Sequence, residues 1–376
     1  MHPIKMRNPA PSSVRILVLA PNWLGDVVMH SPLLSLLDAS RNAVNHATGK
    51  NLVVHLGIRP EWADLFRDDP RLDDLAVLDR KRLNRGPAGP VRLAGRLKAG
   101  AYDGILLCPP SFRAGLASWL ARIPVRIGYR TDGRSLLLTR GLPVSRRGDR
   151  HYSLEMIQLA KTWLASLGIE DPVIGETPVL LPGCDALPAA DLGSGRPVWA
   201  VAPGTTYGEA KTWPAARLGE FIRLALDRCQ VRVALLGDVA ARSFTAQLRD
   251  HVPATWGEDF SSGVEVVDLT GSTNLMEAVG VLKSAAAFVG NDSGLMHVAG
   301  ALGLPTVGIF GSSNPDWTSP LGPRTRALTA SGFDCRPCYL KTCNQPRFCL
   351  ETVSPESVLS AVQLLDGEIP AGREGP

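Results

Sequence analysis

The chain contains no apolar run approaching the roughly 18 to 20 residues that a bilayer-spanning helix requires. A membrane span built from a helix is therefore not expected. A secretory leader is not expected either: Lys5 and Arg7 precede only the short Ile16–Ala20 run, which stops at Pro21-Asn22-Trp23. Its seven cysteines are an odd number, with three scattered at 108, 184 and 229, so a secreted disulfide framework does not fit. Reduced thiols and cytoplasmic residence are the expectation. Neither a GxGxxG fingerprint nor a Walker A loop is present, which weakens a dinucleotide reading and removes a P-loop NTPase.

What is present is ordinary in amount and uneven in arrangement. A hydrophobic fraction of 45% with 20% charged residues describes a soluble globular protein, and 376 residues suit two domains better than one. Residues 1–180 carry 25 Lys+Arg against 16 Asp+Glu, while the remainder carries 15 against 20. The excess concentrates between Arg80 and Arg150, with 16 basic residues against Asp103, Asp132 and Asp149. Either this is a solvated arginine-rich surface or it faces an anionic partner, with nucleic acid, phosphorylated glycolipid and membrane surface as candidates. No recognisable nucleic-acid reading motif accompanies the charge.

Strand-like runs alternate with helical segments. Val14–Ala20, Leu52–Leu56, Leu75–Leu78, Gly104–Cys108 and Val125–Tyr129 form one series. Val198–Ala202, Val231–Leu236, Val264–Leu269, Ala286–Val289 and Pro305–Phe310 form a second. Such alternation predicts parallel, doubly wound α/β sheets. The Pro/Gly/Ala/Asp-rich stretch 181–197 reads as a linker between domains 1–180 and 198–355, with a last helix and tail at 356–376. Two Rossmann-like domains facing a central cleft are the expected architecture. Ligands of such sheets bind beyond the carboxyl ends of the strands, so the polar turns after Ala20, Ala202 and Val289 should line that cleft.

Each turn offers chemistry. In VGNDSGLMHVAGALGLPTVGIFG, from Val289 to Gly311, Asn291-Asp292-Ser293-Gly294 opens an apolar helix. Its unpaired amides and partial positive charge suit a phosphate, and a carboxylate in such a place demands explanation. Thr205, Thr206 and Lys211 could hold the same anion with hydroxyls and a point charge, though a plain helix entry has a similar sequence. Asp26, in Trp23-Leu24-Gly25-Asp26, is either a carboxylate for catalysis or an acidic first-turn residue favoured by the helix dipole. Asp238 stands where Rossmann folds put an acid against ribose, or is a helix cap. His297 is either a packed or hydrogen-bonded histidine or a catalyst. Cys335, Cys338, Cys343 and Cys349, spaced C-x2-C-x4-C-x5-C, leave open a structural zinc, a redox pair and a packing knot.

Three motifs in order, LVLAPNWLGDVVMHSPLL, PGTTYGEAKTWP and VGNDSGLMHVAGALGLPTVGIFGSSNPDWTSPLG, resemble the lipopolysaccharide heptosyltransferases of glycosyltransferase family 9. The Asn-Asp-Ser-Gly-Leu-Met-His and Trp-Leu-Gly-Asp forms are closer to type II than to type I. The resemblance spans about Val14 to Val362 and includes Arg126-Ile127-Gly128-Tyr129-Arg130. It implies a GT-B fold and inverting transfer of heptose from ADP-heptose to the heptose of the inner core, with no cofactor required. On that footing Asp26 is the general base, and Thr205, Thr206, Lys211, Ser293 and Gly294 hold the diphosphate. Asp292 faces heptose hydroxyls, His297, Asp238 and Thr273 complete the donor site, and Arg130 and Arg134 meet the acceptor. The partners implied are ADP-heptose and a phosphorylated lipid A–Kdo–heptose acceptor at the cytoplasmic face of the inner membrane, with no nucleic acid. The alternatives are a family 9 transferase with another donor or acceptor, and a non-enzymatic two-lobed nucleotide- or sugar-binding protein.

Overall fold

The structure is a computed structural model that describes residues 13–83, 85–172, 180–185, 187–193, 195–205 and 207–367. The chain divides into two compact units, Met1–Ala186 and Leu187–Pro376.

In the first unit six parallel strands are ordered β3-β2-β1-β4-β5-β6. They are β1 Ser13–Leu19, β2 Asn51–Ile58, β3 Asp74–Val77, β4 Gly104–Leu107, β5 Val125–Tyr129 and β6 Arg140–Leu142. Ile16, Leu17, Val18 and Leu19 are buried on both faces of β1, as a central parallel strand between helices must be. Gly104 in β4 is obligatory: a Cβ there would come within 2.7 Å of Trp163 Nε1, on the buried face of the Tyr152–Ala165 helix.

The second unit repeats the design with seven strands ordered β13-β12-β11-β7-β8-β10-β9. These are β7 Val198–Ala202, β8 Arg232–Leu235, β9 Trp256–Gly257, β10 Val266–Asp268, β11 Ala287–Asn291, β12 Thr306–Phe310 and β13 Thr325–Thr329. Order reverses across β7, the crevice-forming point of a doubly wound sheet. All pairings in both sheets are parallel. The expected strands, all interior except the edge strand β3, are present, with ends moved by at most two residues. Edge strands β6, β9 and β13 were not anticipated, because they are short and partly exposed and so carry no apolar run.

The stretch 181–197 is less free than its composition suggests. In the first unit Pro182–Cys184 forms a 3-10 turn with Cys184 buried, its thiol against the Leu65 carbonyl. In the second, Lys283 Nζ donates to Leu187 O (2.5 Å), Ser284 Oγ to Ala190 O (2.6 Å) and Arg232 Nη2 to Leu192 O (2.6 Å). Likewise the Pro355–Gly367 helix is part of the second core through Val358, Leu359, Val362 and Leu365.

A buried cation organises the first unit. Arg71 makes a two-pronged contact with Asp69 (Nε to Oδ1 2.9 Å, Nη2 to Oδ2 2.6 Å), and Asp69 is wholly enclosed. The same guanidinium donates to Ser35 Oγ (2.8 Å), Ser31 Oγ (3.0 Å) and Leu180 O (3.1 Å). It thereby joins the Ser31–Ala39 helix to the segment that leaves the unit. Removing one member of a buried pair strands the other charge, which costs about 3 to 5 kcal/mol. Arg71→Ala should lose that much in urea unfolding of the full chain; a loss under about 1 kcal/mol would mean that the Arg71–Asp69 pair does not organise the unit.

Candidate active site

The polar turns of the second unit converge on one carboxylate. Asn291 ends β11 with a buried side chain that accepts from Trp213 N–H (2.8 Å) and donates to Pro203 O (3.1 Å). One side chain thus ties the turn after β7 to the entry of the Ala215–Cys229 helix. Asp292 follows, and its Oδ2 accepts from Lys211 Nζ (2.5 Å) and from Ser313 Oγ (2.6 Å). Its Oδ1 lies 3.8 Å from His297 Nε2, an ion-pair separation and too long for a hydrogen bond. Burial pushes the Asp292 carboxyl upward, but His297 and Lys211 outweigh it and hold its pKa down at about 2.

Lys211 lies at the end of the short Glu209–Lys211 turn, with Nζ 4.7 Å from the centre of the Tyr207 ring. Tyr207 N–H donates to Thr205 Oγ1 (3.2 Å), so the Thr205 hydroxyl shapes the turn that carries the lysine. Thr206 lies outside the described residues. Ser293 is the N-cap of the Gly294–Ala301 helix, yet its side chain caps nothing, and its buried Oγ has no partner among the described residues. Buried Ser312 Oγ and His297 Nδ1 share that condition. Unsatisfied buried groups are uncommon and need a cause. Here a helix N-terminus, one ammonium and spare hydroxyls gather in a single unit, which is the chemistry of a phosphate cradle.

A segment outside the expected site closes around it. Tyr207 Oη donates to Tyr339 O (2.6 Å), Ala210 N to Lys341 O (2.9 Å) and Tyr339 N to Ser312 O (2.8 Å). Arg336 anchors the segment at the end of β12 by donating to Gly311 O (2.8 Å), Phe310 O (3.0 Å) and Ala330 O. This is the four-cysteine stretch. Its thiols are free, from exposed Cys335 to buried Cys349, and no group of three or more metal-ligating side chains is gathered among the described residues. The structure therefore gives a structural zinc at Cys335, Cys338, Cys343 and Cys349, one of the three readings left open, no support.

Other expected residues stand apart from this cluster. Asp238 is exposed and accepts from Ala240 N (3.0 Å) as the cap of a 3-10 turn. Thr273 precedes Asn274, which forms a capping box with Glu277 at the Leu275–Ser284 helix. The expectation that Asp292 faces sugar hydroxyls meets a carboxylate engaged by Lys211, Ser313 and His297. Asn291 was read only as part of the polar turn, and Ser313 and Tyr207 were missed, although the Ser312-Ser313 pair follows a strand end just as the other polar turns do.

In the first unit Asp26 is half-buried in the first turn of the Leu24–Met29 helix. The preceding turn is pinned by Arg59 Nη1 and Trp62 Nε1, which both donate to Asn22 O (3.2 and 3.1 Å). Tyr152 is near enough to feel its charge: burial first, then Asp26, drives that phenol well above its ordinary pKa. The acceptor role expected of Arg134 is corrected. Its side chain is fully buried and donates to Tyr129 O (2.9 Å), Pro109 O (2.5 Å) and Leu107 O (3.4 Å), holding strand ends together. Arg130 remains exposed, its stem laid over Gly141.

The model of glycosyltransferase family 9 (heptosyltransferase) matches residues 91–348. The chain belongs to this family. Among curated members, lipopolysaccharide heptosyltransferase 2 of Salmonella typhimurium is 28% identical over 333 residues, covering 84% of this chain and 88% of the relative. The solved ADP-heptose LPS heptosyltransferase II of E. coli has the same fold, with a TM-score of 0.70 at 24% identity over 94% of this chain and 99% of that one. A family 9 structure from Veillonella parvula reaches 0.75 at 19% identity, covering 96% and 100%. The architecture is GT-B, and this family 9 member is a glycosyltransferase.

The ionised state of Asp292 can be read from acid stability. Its folded pKa of about 2 lies below the ordinary 3.8, so the stabilisation is complete above about pH 4 and is lost as pH falls through about 2. The stability advantage of the native protein over Asp292→Asn should shrink by about 2 kcal/mol between pH 6 and pH 2 in chemical denaturation. Parallel pH profiles for the two proteins would mean that the fold leaves the Asp292 pKa where the unfolded chain has it, and an advantage that grows as pH falls would mean that the carboxyl is held uncharged.

Proposed function

We propose that this chain is an inverting heptosyltransferase that moves heptose from ADP-L-glycero-D-manno-heptose to a heptose of the lipopolysaccharide inner core. The observation that carries the reading is the Lys211–Asp292–Ser313 cluster beside the open N-terminus of the Gly294–Ala301 helix. Family membership and the names of the curated relatives, type 2 heptosyltransferases, support the donor and the acceptor class.

The acceptor hydroxyl attacks the anomeric carbon, the bond from that carbon to the ADP oxygen breaks, and the electron pair leaves with the β-phosphate. Lys211, Thr205, Thr206, Ser293 Oγ and the Gly294 amide take up that charge, which is where preorganised donors lower a barrier most. Asp292 is a positioning residue: a lysine with four rotatable bonds becomes a fixed donor when a buried carboxylate holds it. His297 backs the same carboxylate. Asp238 and Thr273 serve the nucleoside, and Arg130 an acceptor phosphate. Asp26 receives the proton of the attacking hydroxyl, in a turn held rigid by Arg59 and Trp62. No cofactor enters this scheme. The acceptor is a phosphorylated lipid A–Kdo–heptose, so the enzyme works in the cytoplasm against the inner membrane. Among the described residues no helix is long and apolar enough to cross a membrane.

Purified protein should release ADP from ADP-heptose only when the heptosylated acceptor is present. Asp26→Asn should retain donor affinity by calorimetry while turnover falls at least ~100-fold, the lower end of what a positioned general base contributes. Undiminished turnover would take Asp26 out of the mechanism; tighter binding of a GDP- or UDP-sugar than of ADP-heptose would replace the donor.

A further inference from the structure

The β5–β6 edge of the first unit carries apolar side chains that its fold does not use. Leu136 is 95% exposed on the Ser135–Leu137 turn that connects the two strands. Its neighbour Leu137 lies against the Phe112–Leu120 helix, where a Cβ on Gly115 would be 3.5 Å from Leu137 Cδ1. Phe112, Gly115 and Trp119 recur at i, i+3 and i+7 and share one helical face. Phe112 (41% exposed) and Trp119 (51%) therefore flank the place where the Leu136 turn is seated.

The surrounding charge has one sign. From Phe112 to Arg140 there are six arginines and one acid, Asp132, whose carboxylate is occupied by Phe112 N–H (2.7 Å). Arg134 is spent inside the unit, and Arg126 donates to Leu137 O (2.7 Å) and Ile123 O (2.6 Å). Arg113, Arg122, Arg130 and Arg140 are exposed. Phenylalanine, tryptophan and arginine also suit protein interfaces, but exposed charge of a single sign calls for a surface that is anionic throughout, and Leu136, the most exposed of the apolar tips, gives nucleic-acid bases nothing to stack on. Apolar tips including a tryptophan, interleaved with arginines, match the boundary between anionic headgroups and acyl chains.

We propose that this edge, with Leu136, Phe112 and Trp119 inserted and Arg122 and Arg140 on headgroups, is the surface that docks the enzyme on an anionic bilayer, leaving Arg130 to the acceptor phosphate. It gives a location to the membrane contact of the preceding reading, and rests on that reading for why a lipid surface is met at all. The test is sedimentation of the full chain with phosphatidylglycerol/phosphatidylethanolamine vesicles and with phosphatidylcholine vesicles. Wild type should favour the anionic vesicles and release them in high salt. Leu136→Glu combined with Trp119→Glu should lower partitioning at least tenfold, and the milder Leu136→Ser severalfold. Because Leu136 is almost wholly exposed, the unfolding midpoint of Leu136→Ser should be unchanged, as should turnover of a detergent-dispersed acceptor. Wild-type partitioning by the double variant would overturn the proposal, as would equal binding to both vesicle types or binding to RNA in preference to vesicles. Loss of all heptose transfer in detergent with vesicle binding intact would instead sink the catalytic reading and leave this surface standing.

Discussion

A carboxylate at the buried end of a parallel strand stays charged only if a cation and hydrogen-bond donors come to it, and in the second unit of this protein that requirement shapes everything around the site. Asp292 follows directly on β11, and satisfying it draws Lys211 from the loop after β7 and Ser313 from the loop after β12. Asn291, one residue earlier, does the same with neutral groups, taking Trp213 N–H and giving to Pro203 O. Two adjacent side chains therefore fix three loops that are far apart in sequence. The ammonium so placed is not cancelled for function: one lysine has three donors, and a carboxylate and a ring face leave room for a phosphate oxygen.

The four-cysteine segment belongs to the same economy. Its contribution visible in the structure is made by its backbone and by Arg336, Tyr339 and Lys341, which brace the loops that carry Tyr207, Ala210 and Ser312. Gly208 shows how closely that brace is applied, since a Cβ there would come within 2.5 Å of Lys341 O, and its φ of +151° also favours glycine. Buried Cys349 and Leu350 root the far end in the core of the second unit. Packing is thus the role, of the three left open by the spacing of the thiols, that has observations behind it.

Arginine is used in two distinct ways in the first unit. Arg71 and Arg134 are interior residues whose planar donors reach carbonyls and carboxylates in several directions at once. Around the β5–β6 edge Arg122, Arg130 and Arg140 are exposed instead, and exposed Arg113 reaches Gly86 O with one donor (3.1 Å). A count of charge cannot separate the two kinds, which is why Arg134 was read as an acceptor contact and is a scaffold residue. Only the accessibility of each guanidinium distinguishes them.

Sequence by itself determined the class of fold, the interior strands and the turns that matter, because apolar periodicity and the Gly, Asp, Asn and Ser punctuation between runs are local properties. Lys211, Asp292 and Ser293, which the structure gathers in one unit, were legible for the same reason: each sits at the junction of a strand-like run and a helix. Tertiary structure alone decided which of these residues touch. That Asp292 turns to Lys211 and Ser313, that Asn291 locks the loop after β7, and that the cysteine segment braces the site are contacts across 21 to 132 residues of chain. Local patterns carry no information about pairing at that range; it is set by the order in which parallel strands stack and by the need of every buried polar group for a partner.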